Sequence, residues 1–213
     1  MRYLLFLRVL TVLCVTPPLL WANDALAANA TLGAMIPAAP KLGAEAWILI
    51  DAATDSVITS HNSDARLPPA SLTKLMTAYV TTRELKSGRI SADDQVVVSE
   101  NAWRTGGSRM FLEPGSSASV HDLLSGVIID SGNDASVALA EHIAGSEGGF
   151  VGMMNSTAST LGLINTHFMN STGLPDPEHY SSARDMATLA LKVINEGTTY
   201  YRSEEHTSEL QSQ

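Results

Sequence analysis

Residues 67–80 read LPPASLTKLMTAYV and place Ser71 three residues before Lys74, at what the pattern predicts as the opening turn of a helix. Apolar residues at Leu72, Leu75, Met76, Tyr79 and Val80 recur at helical spacing, and Gly88 is suited to end the run. A serine hydroxyl is almost never ionised at neutral pH, so it becomes a nucleophile only with a base in contact. Residues three apart on a helix have Cβ atoms roughly 5–6 Å from each other, within reach of a lysine amine. A buried lysine can have its pKa lowered enough to accept a proton. The helix N-terminus also directs free backbone N–H groups at whatever the serine attacks. Taken alone, however, S-x-x-K is common by chance and reads more readily as a capping serine followed by a solvated lysine.

The rest of the chain sets the context for that pair. Its 213 residues are 45% hydrophobic and 16% charged, a globular composition long enough for one domain or for a large part of a bigger one. The first 27 residues carry Arg2 and Arg8, an apolar run from Leu4 to Val15, and Ala25 and Ala27 in an A-x-A pattern. They predict a secretory signal peptide cut after Ala27, with a retained signal anchor as the alternative. Cys14 is the sole cysteine and lies inside this segment, so the expected mature chain offers neither disulfide nor thiol nucleophile. The formal net charge is −9, and loss of Arg2, Arg8 and Asp24 makes the mature chain one unit more negative. Such acidity lacks the basic footprint that nucleic-acid binding needs.

Residues 28–43 read as a loose Ala/Pro/Gly-rich lead-in. EAWILID and SVITSHN predict a β-hairpin, and DQVVVS one more strand. RTGGSRMFLEPGSS is turn-rich and expected as a surface loop. From Ser119 the pattern turns helical: SVHDLLSGVIID and DASVALAEHIAG are two apolar-faced segments separated by SGN. EGGFVGMMNSTASTLG predicts a further helix. So does SSARDMATLALKVINEG, with Ser182 as its cap, Asp185 in its first turn and Gly197 past its end. The tail RSEEHTSELQSQ continues none of these patterns and reads as the translation of a sequencing adapter, so the natural chain is expected to diverge near Arg202.

The SGN segment, Ser131 to Asn133, changes the weight of the first motif. In a short connection between two helices, a serine hydroxyl can pass a proton to a leaving nitrogen and an asparagine amide can bind a substrate amide. S-x-x-K with S-D-N and K-T-G is the signature of penicillin-binding proteins and class A β-lactamases. Two of the three elements occur here, in the right order. The chain resembles the low-molecular-mass penicillin-binding proteins, the D-alanyl-D-alanine carboxypeptidases of bacterial cell-wall maturation. The likeness runs from about Ala44 to Arg202 through PASLTKLMTAYV, MFLEPG, VIIDSGNDASVALAEHIAGS, LGLINTHFMNSTGL and SARDMATLA.

That resemblance implies Ser71 as the acylated nucleophile, Lys74 as its base, Ser131 as a proton relay and Asn133 as a substrate-binding residue. It implies an α+β fold of the serine β-lactamase/DD-peptidase type, a helical region beside an antiparallel sheet with the site in the cleft between. Peptidoglycan pentapeptide is then the expected substrate and β-lactams the expected acylating inhibitors, with no metal or organic cofactor and no nucleic acid. The expected location is the periplasm, where family members are held peripherally at the inner membrane. The domain reading is signal peptide 1–27, lead-in 28–43, partial catalytic domain 44–202 and tail 203–213.

The sequence departs from the family at the third motif, since no K-T-G follows Asn133. The KSG at Lys86 to Gly88 precedes the second motif and reads as a helix end. The sheet is therefore expected to be incomplete, the chain by itself inactive, and the family's membrane anchor absent from it. Two rivals remain. One is a degenerate relative that only binds peptidoglycan. The other is a class A β-lactamase, for which Glu178 is the nearest glutamate but its surroundings do not match. No H-E-x-x-H spacing links His61, His121, His142, His167, His179 and His206, and no G-x-S-x-G occurs.

Overall fold

The β-rich runs before the first motif form a hairpin, β1 (Trp47–Asp51) and β2 (Ser56–His61), as the sequence predicts. In the computed structural model, which describes residue 39 and residues 41–196, the strands pair Trp47 with His61 and Asp51 with Ser56. A bulge between Leu49 and Ile50 shifts the register. The turn is tied by the Asp51 carboxylate, which accepts the Ala53 N–H at 2.8 Å, and Asp55 takes a positive φ of 56°. The chain divides into two units, Met1–Leu42 and Gly43–Gln213, and every element here belongs to the second. The expected leader 1–27, the lead-in up to residue 38, Gly197 and the tail 203–213 lie outside the described residues.

A 3-10 turn, Ala70–Leu72, leads directly into α1 (Thr73–Lys86). Ser71 thus sits in the tight turn before the α-helix rather than in its first turn. α1 ends as expected at Gly88, where φ is +70° and the N–H donates to the Leu85 carbonyl at 3.1 Å. β3 (Gln95–Val97) pairs antiparallel with β4 (Ser117–Ser119), a strand absent from the sequence reading. α2 (Glu100–Arg104) is likewise new. α3 (Val120–Ile129), α4 (Asn133–Ala144), α5 (Glu147–Thr160) and α6 (Ala183–Glu196) match the predicted helical segments.

Serine hydroxyls cap four of these helices. Ser99, Ser119, Ser146 and Ser182 accept the N–H three residues on, at 2.9, 3.0, 3.1 and 3.1 Å, for α2, α3, α5 and α6. α1 and α4 are the exceptions: Leu72 and Gly132 precede them with no side-chain cap, which leaves their first turns to other partners. Two apolar clusters hold the helices together. One gathers Met76, Tyr79 and Val80 of α1 with Phe150 and Met154 of α5 and Leu189 of α6. The other gathers Leu123, Leu124 and Val127 of α3 with Val137 and Leu139 of α4 and Val96 of β3. Ala140 of α4 joins the first cluster, and Ala78 and Leu85 of α1 pack on the second. α1 and α4 are thus the shared walls, and they carry Lys74 and Asn133, one residue from each sequence motif. The architecture is α+β, with the described residues holding two two-stranded ladders.

Candidate active site

Lys74 opens inward from the first turn of α1 and is only 6% exposed. Its Nζ donates to Asn133 Oδ1 at 2.6 Å and to the Thr172 carbonyl at 2.7 Å. Burial lowers its pKa from 10.5 to about 8, because the ammonium loses hydration that the neutral amine does not need. This is neither the solvated lysine nor the surface pair that S-x-x-K alone suggests. A neutral amine has two N–H bonds and one lone pair. The two fixed acceptors take both N–H bonds, so the lone pair must face elsewhere.

Ser71 lies three residues earlier, across the junction of the 3-10 turn and α1, and it is exposed. Its hydroxyl caps no helix, and no hydrogen bond joins it to Lys74, Ser131 or Asn133. The turn that presents it is strained at Ala70, which has a φ of 47°. Gly173 backs this turn so closely that a Cβ there would lie 1.9 Å from the Ala70 carbonyl oxygen. The Thr73 hydroxyl, next along, meets His179 Nε2 at 2.8 Å. His179 Nδ1 accepts the Met169 N–H at 3.1 Å, which assigns the ring proton to Nε2 and makes Thr73 the acceptor. Burial pushes the His179 pKa below its ordinary 6.5, in keeping with a neutral ring.

The second motif is fixed from the other side. Ser131 has a φ of 54°, and its buried hydroxyl has no hydrogen-bond partner among the described residues. Asn133, 5% exposed, starts α4 and donates its backbone N–H to the Ser108 carbonyl at 2.8 Å. Its Nδ2 donates to the Gly106 carbonyl at 2.7 Å, which turns Oδ1 toward Lys74. Gly107 must be glycine here, with φ +85° and a Cβ position 2.6 Å from Asn133 Nδ2. Asp134, fully buried, accepts N–H bonds from Met110 at 2.9 Å and Leu112 at 3.1 Å, locking the 105–112 loop onto α4. The structure therefore brings Lys74 and Asn133 into contact, sets Ser131 two residues from Asn133, and leaves Ser71 open at the edge.

Comparison with known proteins decides the family. Residues 33–212 match the family model described as D-alanyl-D-alanine carboxypeptidase. The chain belongs to the D-alanyl-D-alanine carboxypeptidase family. It is 47% identical over 183 residues to D-alanyl-D-alanine carboxypeptidase DacC of Escherichia coli K12, covering 83% of this chain and 44% of that protein. It is 41% identical over 201 residues to DacA of the same strain, covering 92% of this chain and 49% of the relative. The chain thus spans about half the length of these curated relatives. Among solved structures, penicillin binding protein 5 of Haemophilus influenzae superposes with a TM-score of 0.74 at 44% identity, over 76% of this chain and 48% of that one. The penicillin-binding-protein fold expected from the motifs is the fold of these family structures.

Several residues that build the site carried no signal of chemistry in the sequence. Thr172 contributes only its main-chain carbonyl, which residue type does not reveal. Asn170, Ser171 and Gly173 belong to the LGLINTHFMNSTGL stretch, which carries the family likeness but marks no role for any of them. Glu147 Oε1 accepts from the Ser171 N–H and hydroxyl at 2.9 and 2.8 Å, and Thr77 donates to the Ser171 carbonyl at 2.7 Å. The 170–174 turn is thereby pinned to both α1 and α5. A helix-opening Glu147 and a mid-helix Thr77 are too common in sequence to have been singled out.

Proposed function

We propose that this chain carries the nucleophile and base of a serine-type D-alanyl-D-alanine carboxypeptidase. In this reading Lys74, as the free amine, takes the Ser71 hydroxyl proton while Oγ attacks the carbonyl of the penultimate D-alanine. The tetrahedral adduct collapses, the C–N bond breaks, and the leaving nitrogen takes a proton relayed by Ser131. Water then attacks the acyl-serine ester, releasing the shortened stem peptide and regenerating Ser71. Asn133 keeps one amide hydrogen and one oxygen lone pair uncommitted, enough to bind the substrate amide. A β-lactam enters by the same attack and stays as the acyl-enzyme.

The observation that carries this reading is the buried Lys74 held by two acceptors, with its pKa at about 8. About a tenth of the lysine is then neutral at pH 7, so acylation should rise with pH until near 8 and level off. The test is covalent labelling by a fluorescent penicillin. It is applied to the 213-residue chain and to the same chain continued with the second half of E. coli DacC, the part of that relative outside the match. The continued protein is expected to label on the Ser71 peptide and to release D-alanine from a D-Ala-D-Ala peptide. Ser71→Ala should abolish labelling, and Lys74→Ala should slow it roughly 10²- to 10⁴-fold. Labelling that survives Ser71→Ala overturns the assignment.

A second reading is retention of peptidoglycan without turnover, favoured by the exposed Ser71 hydroxyl, which makes no hydrogen bond to Lys74, Ser131 or Asn133. Pull-down on insoluble peptidoglycan without D-alanine release distinguishes it. We also propose export to the periplasm, on the strength of the charged, apolar and A-x-A segments before Ala28. Intact mass of the exported protein should place its N-terminus at Ala28, and a retained Met1 would mean a signal anchor.

A further inference from the structure

The Thr172–Gly173 peptide is clamped at both ends. Its carbonyl accepts from Lys74 Nζ at 2.7 Å, and its N–H donates to Asn170 Oδ1 at 2.7 Å. In a trans peptide the C=O and N–H point in opposite directions, so fixing one fixes the other. Asn170 Oδ1 also accepts from the Thr172 N–H at 3.2 Å and the Thr172 hydroxyl at 3.0 Å. Its Nδ2 donates to the Leu174 carbonyl at 3.0 Å, which closes the turn on itself. Gly173 sits at φ +88° and has no Cβ to brace the plane. Without Asn170, that glycine would let the peptide rotate.

We propose that Asn170 is a positioning residue for the base: by holding the Thr172–Gly173 peptide it aims the Thr172 carbonyl at Lys74 and so sets where the amine's lone pair points. Asn133 supplies one fixed acceptor, oriented by Gly106, and Asn170 supplies the other through a main-chain group. Two acceptors define a direction for the lone pair, whereas one leaves the amine free to rotate about its Cε–Nζ bond. The inference rests on Lys74 acting as the base. The titratable groups around it are His179, bonded to Thr73, Glu147, bonded to Ser171, and Asp134, beside Asn133.

The test is a Lys Cε/Nζ NMR titration of the 213-residue chain, which has only four lysines, Lys41, Lys74, Lys86 and Lys192. It needs no substrate. The carbonyl stabilises the ammonium more than the amine, so losing it should lower the Lys74 midpoint in Asn170→Ala by roughly one pH unit. Asn170→Asp keeps the acceptor and adds a negative charge, so its midpoint should stay or rise. In the acylating protein, Asn170→Ala should slow labelling roughly 10- to 100-fold with the acidic limb moved to lower pH, although more of the lysine is neutral. A residue that merely stabilises the fold would lower the yield of folded protein and move neither midpoint. An unmoved Lys74 midpoint in Asn170→Ala, or a lowered one in Asn170→Asp, overturns the inference. A wild-type midpoint near 10.5 instead counts against Lys74 as the base, and so against the proposed function.

Discussion

Lys74 is costly to fold around. Its pKa is about 8 in the folded chain and 10.5 when hydrated, so between those values the unfolded chain binds more protons than the folded one. Stability must then rise with pH across that window, and below about 8 the full penalty of the buried ammonium applies. The shift corresponds to at most about 3–4 kcal/mol. Urea unfolding of the wild type against Lys74→Met, from pH 7.5 to 10.5, should show the wild type gaining on the variant by an amount of that order. A constant difference would mean that Lys74 titrates normally. The expense makes sense only if the amine is used, since a hydrophobic residue would fill the same space without a charge to bury.

The 3-10 turn and the 170–174 turn are built against each other through Gly173. Its Cβ position, 1.9 Å from the Ala70 carbonyl oxygen, falls on rigid backbone and not on a side chain that can swing away. Gly173→Ala should therefore cost on the order of 3 kcal/mol or more, combining left-handed strain with a backbone clash. Gly162→Ala is the control: φ there is +73°, but nothing lies within 4 Å. It should cost only about 1–2 kcal/mol. Denaturant midpoints compare the two, and equal losses would mean that Ala70 moves aside at no cost. α4 follows the same economy. It begins without a side-chain cap, and its N-terminal residues Asn133 and Asp134 instead bind the 105–112 loop.

Burial across the whole molecule is uneven. Met76, Leu123, Leu139, Phe150 and Met154 are fully buried, whereas Leu49, Val57 and Ile58 of the hairpin are 52, 46 and 62% exposed. Two-stranded hairpins are marginal in water unless something packs on them, and here β1 touches α6. Amide exchange should therefore be slowest in α1 and α4, which wall both clusters, and fastest in β1 and β2. Phe150→Ala and Leu123→Ala, one in each cluster, should each cost about 2–5 kcal/mol and lower a single helical melt by circular dichroism. Two separate melts would show that the clusters are independent cores.

Sequence patterns alone revealed what depends on neighbours a few residues away. The helical period of α1, its end at Gly88, the paired helices flanking SGN, the Ser182 cap and the hairpin were all legible, because periodicity and capping are local. The S-x-x-K and S-x-N motifs were legible too, as residue types at fixed spacing. Tertiary structure alone decided the rest. β4 has no apolar period in its three residues and becomes a strand only by pairing with β3, more than twenty positions earlier. Lys74 meets Thr172 across 98 residues, and Thr73 meets His179 across 106. A carbonyl oxygen is present in every residue, so no sequence pattern marks the one that a folded turn aims at a lysine.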